Sequence, residues 1–228
     1  MQEFLEGKTI LVDKPYGWTS FDVVNKLRWH LKKKLNVKKI KVGHAGTLDP
    51  LATGLLIICT GKNTKLIESI MPGLKTYTGT FLVGKTTPSY DLETEFDNVL
   101  PTEHITPELL ELAKQNLTGK INQIPPIFSA KQIDGKRAYE LARAGKEIQM
   151  TPVAVEIHEF EIETSAFPEV HFKITCSKGT YIRSIAHDFG KLLHSGATLI
   201  SLRRTNSGEF SVEGAPSPEK IINQIMEG

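Results

Sequence analysis

The tightest limit on the fold comes from the run Leu55-Leu56-Ile57-Ile58-Cys59, which Thr60-Gly61 closes. Five consecutive apolar residues ended by a glycine read as a short, buried strand, so the chain must build a sheet with an interior to hold it. Other strand-like stretches surround it. KTILVDKP (8–15) is apolar and stops at Pro15-Tyr16-Gly17-Trp18, and TYTGTFLVG (76–84) alternates. VEIHEFEI (155–162), VHFKITCS (170–177) and LISLRRTNSGEF (199–210) follow. Helices are expected between them. One is capped by Thr19 or Ser20 with an apolar face of Phe21, Val24, Leu27 and Leu31, and one begins at Asn63. Others open at Thr106-Pro107-Glu108 and run to Leu117, cover Arg137 to Arg143, and cover Tyr181 to Leu193. Residues from Ser217 on are too few for another domain. Strands and helices alternate without a regular βαβ repeat, which gives an α+β class with a mixed, mainly antiparallel central sheet and flanking helices.

At 228 residues the chain can bury about 70% of its unfolded surface and form a full core. No apolar run of about 18 residues could span a bilayer, and Glu3 and Glu6 with no following apolar block speak against a secretory leader. A cytoplasmic protein is expected. Cys59 and Cys176 lie in apolar strand-like runs, as buried free thiols do. There is no CxxC, so no metal site is expected.

Net charge is only +2, but the charges are segregated. Lys26, Arg28, Lys32, Lys33, Lys34, Lys38, Lys39 and Lys41 lie between Asp22 and Asp49 with no acid among them. Seven acids, Asp91 to Glu111, lie between Lys85 and Lys114 with no basic residue. A solvated surface accounts for the lysines; a face that meets a polyanion such as nucleic acid accounts for the segregation as well.

The stretch GHAGTLDPLATGLL (43–56) sets one carboxylate, Asp49, among glycines. Asp followed by Pro fits a helix N-cap with proline at the first helical position. The glycines permit positive φ and close approach of another backbone, which suits a tight loop beside a bulky partner. The spacing is neither GxxxxGK[ST] nor GxGxxG, which disfavours a nucleotide-triphosphate enzyme.

With DKPYGWTS ahead of it, this stretch closely resembles the TruB family of tRNA pseudouridine synthases. Lys75-Thr76-Tyr77, the IPPIFSA and DGKRAYELARAG stretches, Gly179-Thr180-Tyr181-Ile182-Arg183-Ser184, and Leu202-Arg203-Arg204-Thr205 with SGEF match family blocks in family order, over residues 8 to 212. The resemblance implies the pseudouridine synthase fold with an RNA-binding cleft, and conversion of uridine 55 in the T loop of tRNA to pseudouridine with no cofactor and no metal. It implies base flipping, cleavage of the C1′–N1 bond, rotation of the uracil and formation of a C1′–C5 bond. One carboxylate suffices for such an isomerisation, because the detached base remains as the next reactant and no water needs activating. The residues leave open whether that carboxylate attacks the sugar, attacks the base, or removes the C2′ proton.

The resemblance assigns Asp49 as the catalytic carboxylate and Arg183 as the arginine that pairs with it. Tyr77 becomes the tyrosine that stacks on the target base, Tyr181 and Leu202 shape the uracil pocket, and His44 contacts RNA beside the flipped base. On pattern alone, Tyr77, Tyr181 and Leu202 also fit core positions, Arg183 a helix surface and His44 an incidental loop site. The family more often has Arg where His187 stands. The expected organisation is a single catalytic domain over 1–228 with a lid at about 124–148 carrying Lys131, Lys136, Arg137 and Arg143, and no C-terminal PUA domain. The expected partner is the T stem-loop of tRNA, bound by a monomer without guide RNA or membrane, the basic run and the lid holding phosphates. An RNA-binding or tRNA-folding module with an inert pocket, and a synthase acting on a different RNA, are the competing readings.

Overall fold

In a computed structural model the described residues are 1–71, 73–129, 150–227 and, for backbone alone, 132–133 and 136–137. The segment expected as a lid, 124–148, lies mostly outside them, as does most of the helix expected over 137–143; Arg137 itself is in a two-residue strand. Packing divides the chain into two compact units, Met1–Thr78 with Leu202–Gly228, and Gly79–Ser201. Strands β4 (Lys75–Val83) and β12 (Ala197–Ser207) run from one unit into the other.

In the first unit the expected buried strand is β3 (Ala52–Thr60). It pairs antiparallel with β1 (Thr9–Lys14) and β2 (Val42–Ala45), and parallel with β12 at Leu202↔Ala52, Arg203↔Thr53 and Arg204↔Gly54. The sheet is therefore mixed. Both faces of β3 are covered, which is why its sequence does not alternate. On one side Leu56 and Ile58 pack with Val12 and with Val23, Val24, Leu27 and Leu31 of helix α2 (Ser20–Leu35). On the other, Leu55 and Ile57 pack with Ala45, Leu11, Ile67 and Phe210. Cys59 is fully buried and unbridged, as expected.

Helix α2 starts at the expected cap. The Thr19 side chain accepts the Asp22 N–H at 3.0 Å while the Thr19 N–H donates to Asp22 Oδ2 at 2.8 Å, a capping box. Its buried stripe is Ser20, Val23, Val24, Leu27 and Leu31. Phe21, expected in the core, is exposed instead, because it sits about 100° around the helix from Ser20. The helix expected from Asn63 is a 3-10 turn (Gly61–Leu66) running into the short α3 (Ile67–Ile70). Gly61 has φ +51°, and a Cβ there would lie 2.3 Å from the Leu5 carbonyl oxygen, so the backbone enters this segment too tightly for a regular helix. The tail forms a further helix, Pro218–Glu227, in which Ser217 Oγ accepts the Lys220 N–H at 3.3 Å and Ile221, Ile222 and Ile225 join the α2 core.

In the second unit β4 leads to β11 (Glu169–Cys176), β10 (Val153–Glu163) and β7 (Gly119–Gln123) in that order, with β10 antiparallel to both neighbours. Helix α4 (Pro107–Asn116) has Thr106 as its cap, and helix α5 (Ile182–Leu192) follows Tyr181, both where the sequence places them. The core is aromatic. Phe81 stacks on Phe172 at 4.2 Å between centroids and meets Phe189 of α5 at 5.6 Å.

Candidate active site

Asp49 does not cap a helix. It opens a turn in which the Ala52 N–H donates to the Asp49 carbonyl at 3.1 Å, with Pro50 and Leu51 at its centre, and β3 starts at once. The side chain is half-buried. This removes the capping explanation for the Asp-Pro pair.

The loop that carries Asp49 joins β2 to β3, and donors from distant parts of the first unit fix it. Arg204, 1% exposed, donates from Nε to the Leu55 carbonyl at 2.8 Å, from Nη2 to Gly46 at 3.0 Å and from Nη1 to Thr47 at 3.5 Å. Ser20 Oγ, at the start of α2, accepts the Leu48 N–H at 2.8 Å and donates to the Leu48 carbonyl at 3.1 Å. Lys14, fully buried, donates from Nζ to the carbonyls of Pro15, Trp18 and Pro50 at 3.0, 2.5 and 3.3 Å. Burial pulls the Lys14 ammonium from the usual 10.5 down to about 8, with the Asp49 carboxylate opposing the shift and Arg204 adding to it.

Glycine is needed at two of these positions. Gly46 has φ +90°, and Gly54 has φ +99° with a Cβ that would lie 2.3 Å from the Arg204 carbonyl oxygen. Strand pairing at Gly54 is what brings Arg204 under the loop.

Three further expected residues share this unit. His44, on β2, is half-buried; burial and then the Arg204 charge depress its pKa, so it favours the neutral ring. Tyr77, on β4, is buried. Leu202, on β12, is half-buried beside Ala52, three residues from Asp49.

Tyr181 and Arg183 belong to the second unit. Gln123, almost fully buried, accepts the Tyr181 N–H at 2.8 Å and donates to the Tyr181 carbonyl at 3.1 Å, which fixes the start of α5. Arg183 is buried rather than on a helix surface. Its Nη1 donates to the Phe128 carbonyl at 2.9 Å, and its Nε lies 3.6 Å from Asp91 Oδ2. Asp91, also buried, is positioned by its own turn: the Glu93 N–H donates to Oδ1 at 3.0 Å, and the Thr87 hydroxyl donates to the Asp91 carbonyl at 2.7 Å. Next to it Tyr90, at φ +65°, stacks on His187 at 3.9 Å; burial holds the His187 pKa down to about 4, so the ring is neutral near pH 7.

The sequence alone assigns no role to Lys14, Arg204, Gln123 or Asp91, and gives Ser20 only as an alternative helix cap. Buried cations look like surface cations in a sequence, and Asp91 is one of seven acids in a run that holds no basic residue.

Residues 32–182 match the TruB family pseudouridylate synthase (N terminal domain) model. The chain is 55% identical over 215 residues to a Flavobacterium johnsoniae protein named tRNA pseudouridine synthase B, covering 94% of each chain. It is 54% identical over 218 residues to a Phocaeicola vulgatus protein of the same name, covering 96% of this chain and 93% of that one. Among solved structures, a crystal structure of a Cbf5–Nop10–Gar1 complex superposes with TM-score 0.72 at 26% identity, over 97% of this chain and 55% of that chain. A structure of an H/ACA RNP bound to a substrate RNA containing 2′-deoxyuridine gives TM-score 0.68 at 25% identity, over 97% of this chain and 54% of that chain. A match over residues 32–182, together with these two relatives aligned nearly end to end, makes the chain a member of the TruB family of pseudouridylate synthases.

Proposed function

We propose that this protein isomerises uridine 55 in the T loop of tRNA to pseudouridine, with Asp49 as the catalytic carboxylate and His44, Tyr77, Tyr181, Arg183 and Leu202 binding the substrate. The observation that carries the reading is the fixed Asp49 loop, in a chain 55% identical to a tRNA pseudouridine synthase B. Asp49 leads into a strand and not a helix, and the backbone on both sides of it is tied to buried donors.

A nucleotide stacked in a folded loop hides its anomeric carbon, so the target must leave the stack, at a few kcal/mol that aromatic stacking partly offsets. Breaking C1′–N1 sends the bonding pair to the uracil and leaves positive charge on the ribose, which the nearby carboxylate stabilises or traps. The uracil turns, C5 bonds to C1′, the C5 proton leaves and N1 takes one up. Substrate and product have the same atoms, so the reaction needs no co-reactant.

The finer parts of the reading are a single catalytic domain with a lid at about 124–148, action as a cytoplasmic monomer without guide RNA, and phosphate contacts from the lid and the basic run Lys26 to Lys41. No described helix is long and apolar enough to cross a membrane. The test is Asp49→Asn with an unmodified T-arm minihelix, read by nucleoside analysis. The variant is expected to bind the RNA as wild type does and to form no pseudouridine; undiminished product overturns the role of Asp49.

A further inference from the structure

Helix α2 turns its polar side to solvent, and that side carries large aromatic residues. The core stripe is Ser20, Val23, Val24, Leu27 and Leu31. At 100° per residue, Trp29 falls opposite this stripe and is 58% exposed. Phe21 on the same helix is 57% exposed, and Tyr16 just ahead of it 60%. Single exposed apolar residues are ordinary on a protein surface; three exposed aromatics within fourteen positions of one another, two of them on one helix, are more than that. A cation rests by each of three rings on this surface. Lys26 Nζ is 5.6 Å from the Trp18 ring, Arg28 Cζ 5.8 Å from Phe21 and Lys33 Nζ 5.2 Å from Trp29. Between Trp18 and Trp29 lies an open groove of about 570 Å³ that Asp22, Asn25 and Lys26 also line.

From these placements we infer that the solvent face of α2 is a second RNA-contacting surface, on which an unstacked base of the substrate RNA packs against Trp29 while Lys26 and Lys33 hold the flanking phosphates. The inference rests on the proposed RNA substrate only in taking RNA as the partner. Charge selects that partner. Between Asp22 and Asp49 the chain holds eight cations and no acid, and Asp22 is the one acid that lines the groove, so the balance suits a polyanion and not an acidic-and-basic protein surface. Aromatic faces interleaved with cations are what an unpaired nucleotide needs, since every base offers a π-face and every link a phosphate.

The position also fits. Ser20 bonds α2 to Leu48, next to Asp49, and Trp29 lies about 14 Å farther along the same helix, on its solvent side.

The experiment compares wild type, Trp29→Ala, the double variant Lys26→Gln/Lys33→Gln and, as a control, Leu112→Ala, which alters an exposed residue of α4. Affinity for an unmodified tRNA transcript is measured over a range of salt, and product formation is measured on the same preparations. Trp29→Ala is expected to bind about tenfold more weakly, the double variant to lose about two from the slope of log affinity against log salt, and Leu112→Ala to bind as wild type. In a Trp18→Phe protein, whose only tryptophan is Trp29, RNA should quench the emission. Wild-type affinity and slope in both variants, or unquenched emission, overturns the inference. So does a wild type that self-associates through this face while Trp29→Ala does not, since the occupant is then a second copy of the chain. If wild type forms no pseudouridine but Trp29→Ala still weakens RNA binding, the proposed activity fails and this surface stands.

Discussion

Replacing Arg204 with Met removes the guanidinium from beneath the Asp49 loop and leaves the carbonyls of Gly46, Thr47 and Leu55 without their donor. The bonds at 2.8 and 3.0 Å are at full strength and the one at 3.5 Å is at the limit, so two charge-assisted bonds, each about 1.5–3 kcal/mol, set the scale. Removing a buried cation relieves part of that loss, because its desolvation disappears with it. A net destabilisation of about 2–4 kcal/mol follows, or a melting point lower by about 5–15 °C in a chain of this length. That leaves most of the molecule folded at 25 °C.

Activity should fall further than stability, because the released segment carries Asp49 and a misplacement of about 1 Å at a reacting group costs on the order of 100-fold. The assay is tritium release from tRNA labelled at uridine C5, with RNA affinity measured alongside. Arg204→Met is expected to lose about 100-fold in kcat while the apparent Kd for RNA changes by less than about threefold. Arg204→Lys keeps the charge but not the fork and should fall between. Wild-type kcat in an Arg204→Met protein that melts early would refute the reasoning: the guanidinium would then stabilise the unit without setting the position of the carboxylate.

Two other perturbations probe the same loop. The native pKa of Lys14, about 8, lies below the ordinary 10.5, so between those values the unfolded chain holds a proton that the folded chain has shed. The stability of wild type relative to Lys14→Met should therefore rise as pH climbs from 8 to 10.5 and stay flat below 8, as followed by urea unfolding; a flat difference throughout means that Lys14 keeps its charge in the fold. Gly54→Ala should be far more damaging than Gly17→Ala, although both glycines have positive φ. At Gly54 the new methyl would also meet the Arg204 backbone at 2.3 Å, whereas at Gly17 nothing lies within 4 Å. Thermal melts within about 1 kcal/mol of each other would show that β3 and β12 can move apart without loss.

What could be read in the sequence was what is local. The Thr19 cap, the strand Leu55 to Cys59 and the Pro107 helix start each depend on residues within a few positions, and each stands where expected. The Pro218 helix had a local signal too, a Ser-Pro start and isoleucines at 221, 222 and 225, and its shortness hid it. Phe21 misled because an apolar residue beside a helix stripe is counted into the stripe unless the angle is worked out. The supports of the site were hidden for a different reason. Ser20 acts across 28 residues of sequence, Lys14 across 36 and Arg204 across 158, and no periodicity records such pairings.

Those pairings share one property. From Gly46 to Pro50 every backbone carbonyl accepts a bond: Gly46 and Thr47 from Arg204, Leu48 from Ser20, Asp49 from the Ala52 N–H, and Pro50 from Lys14 and the Gly17 N–H. A loop normally satisfies its carbonyls with water and stays mobile. Here protein donors replace that water, and two of them are cations. The fold thus gives Asp49 a fixed backbone and two nearby positive charges at once, which is the preorganisation a single carboxylate needs if it is to meet developing charge on a sugar without first reorganising solvent. Glycine at 46 and 54 follows from the same requirement, because side chains there would push Arg204 away from the carbonyls it holds.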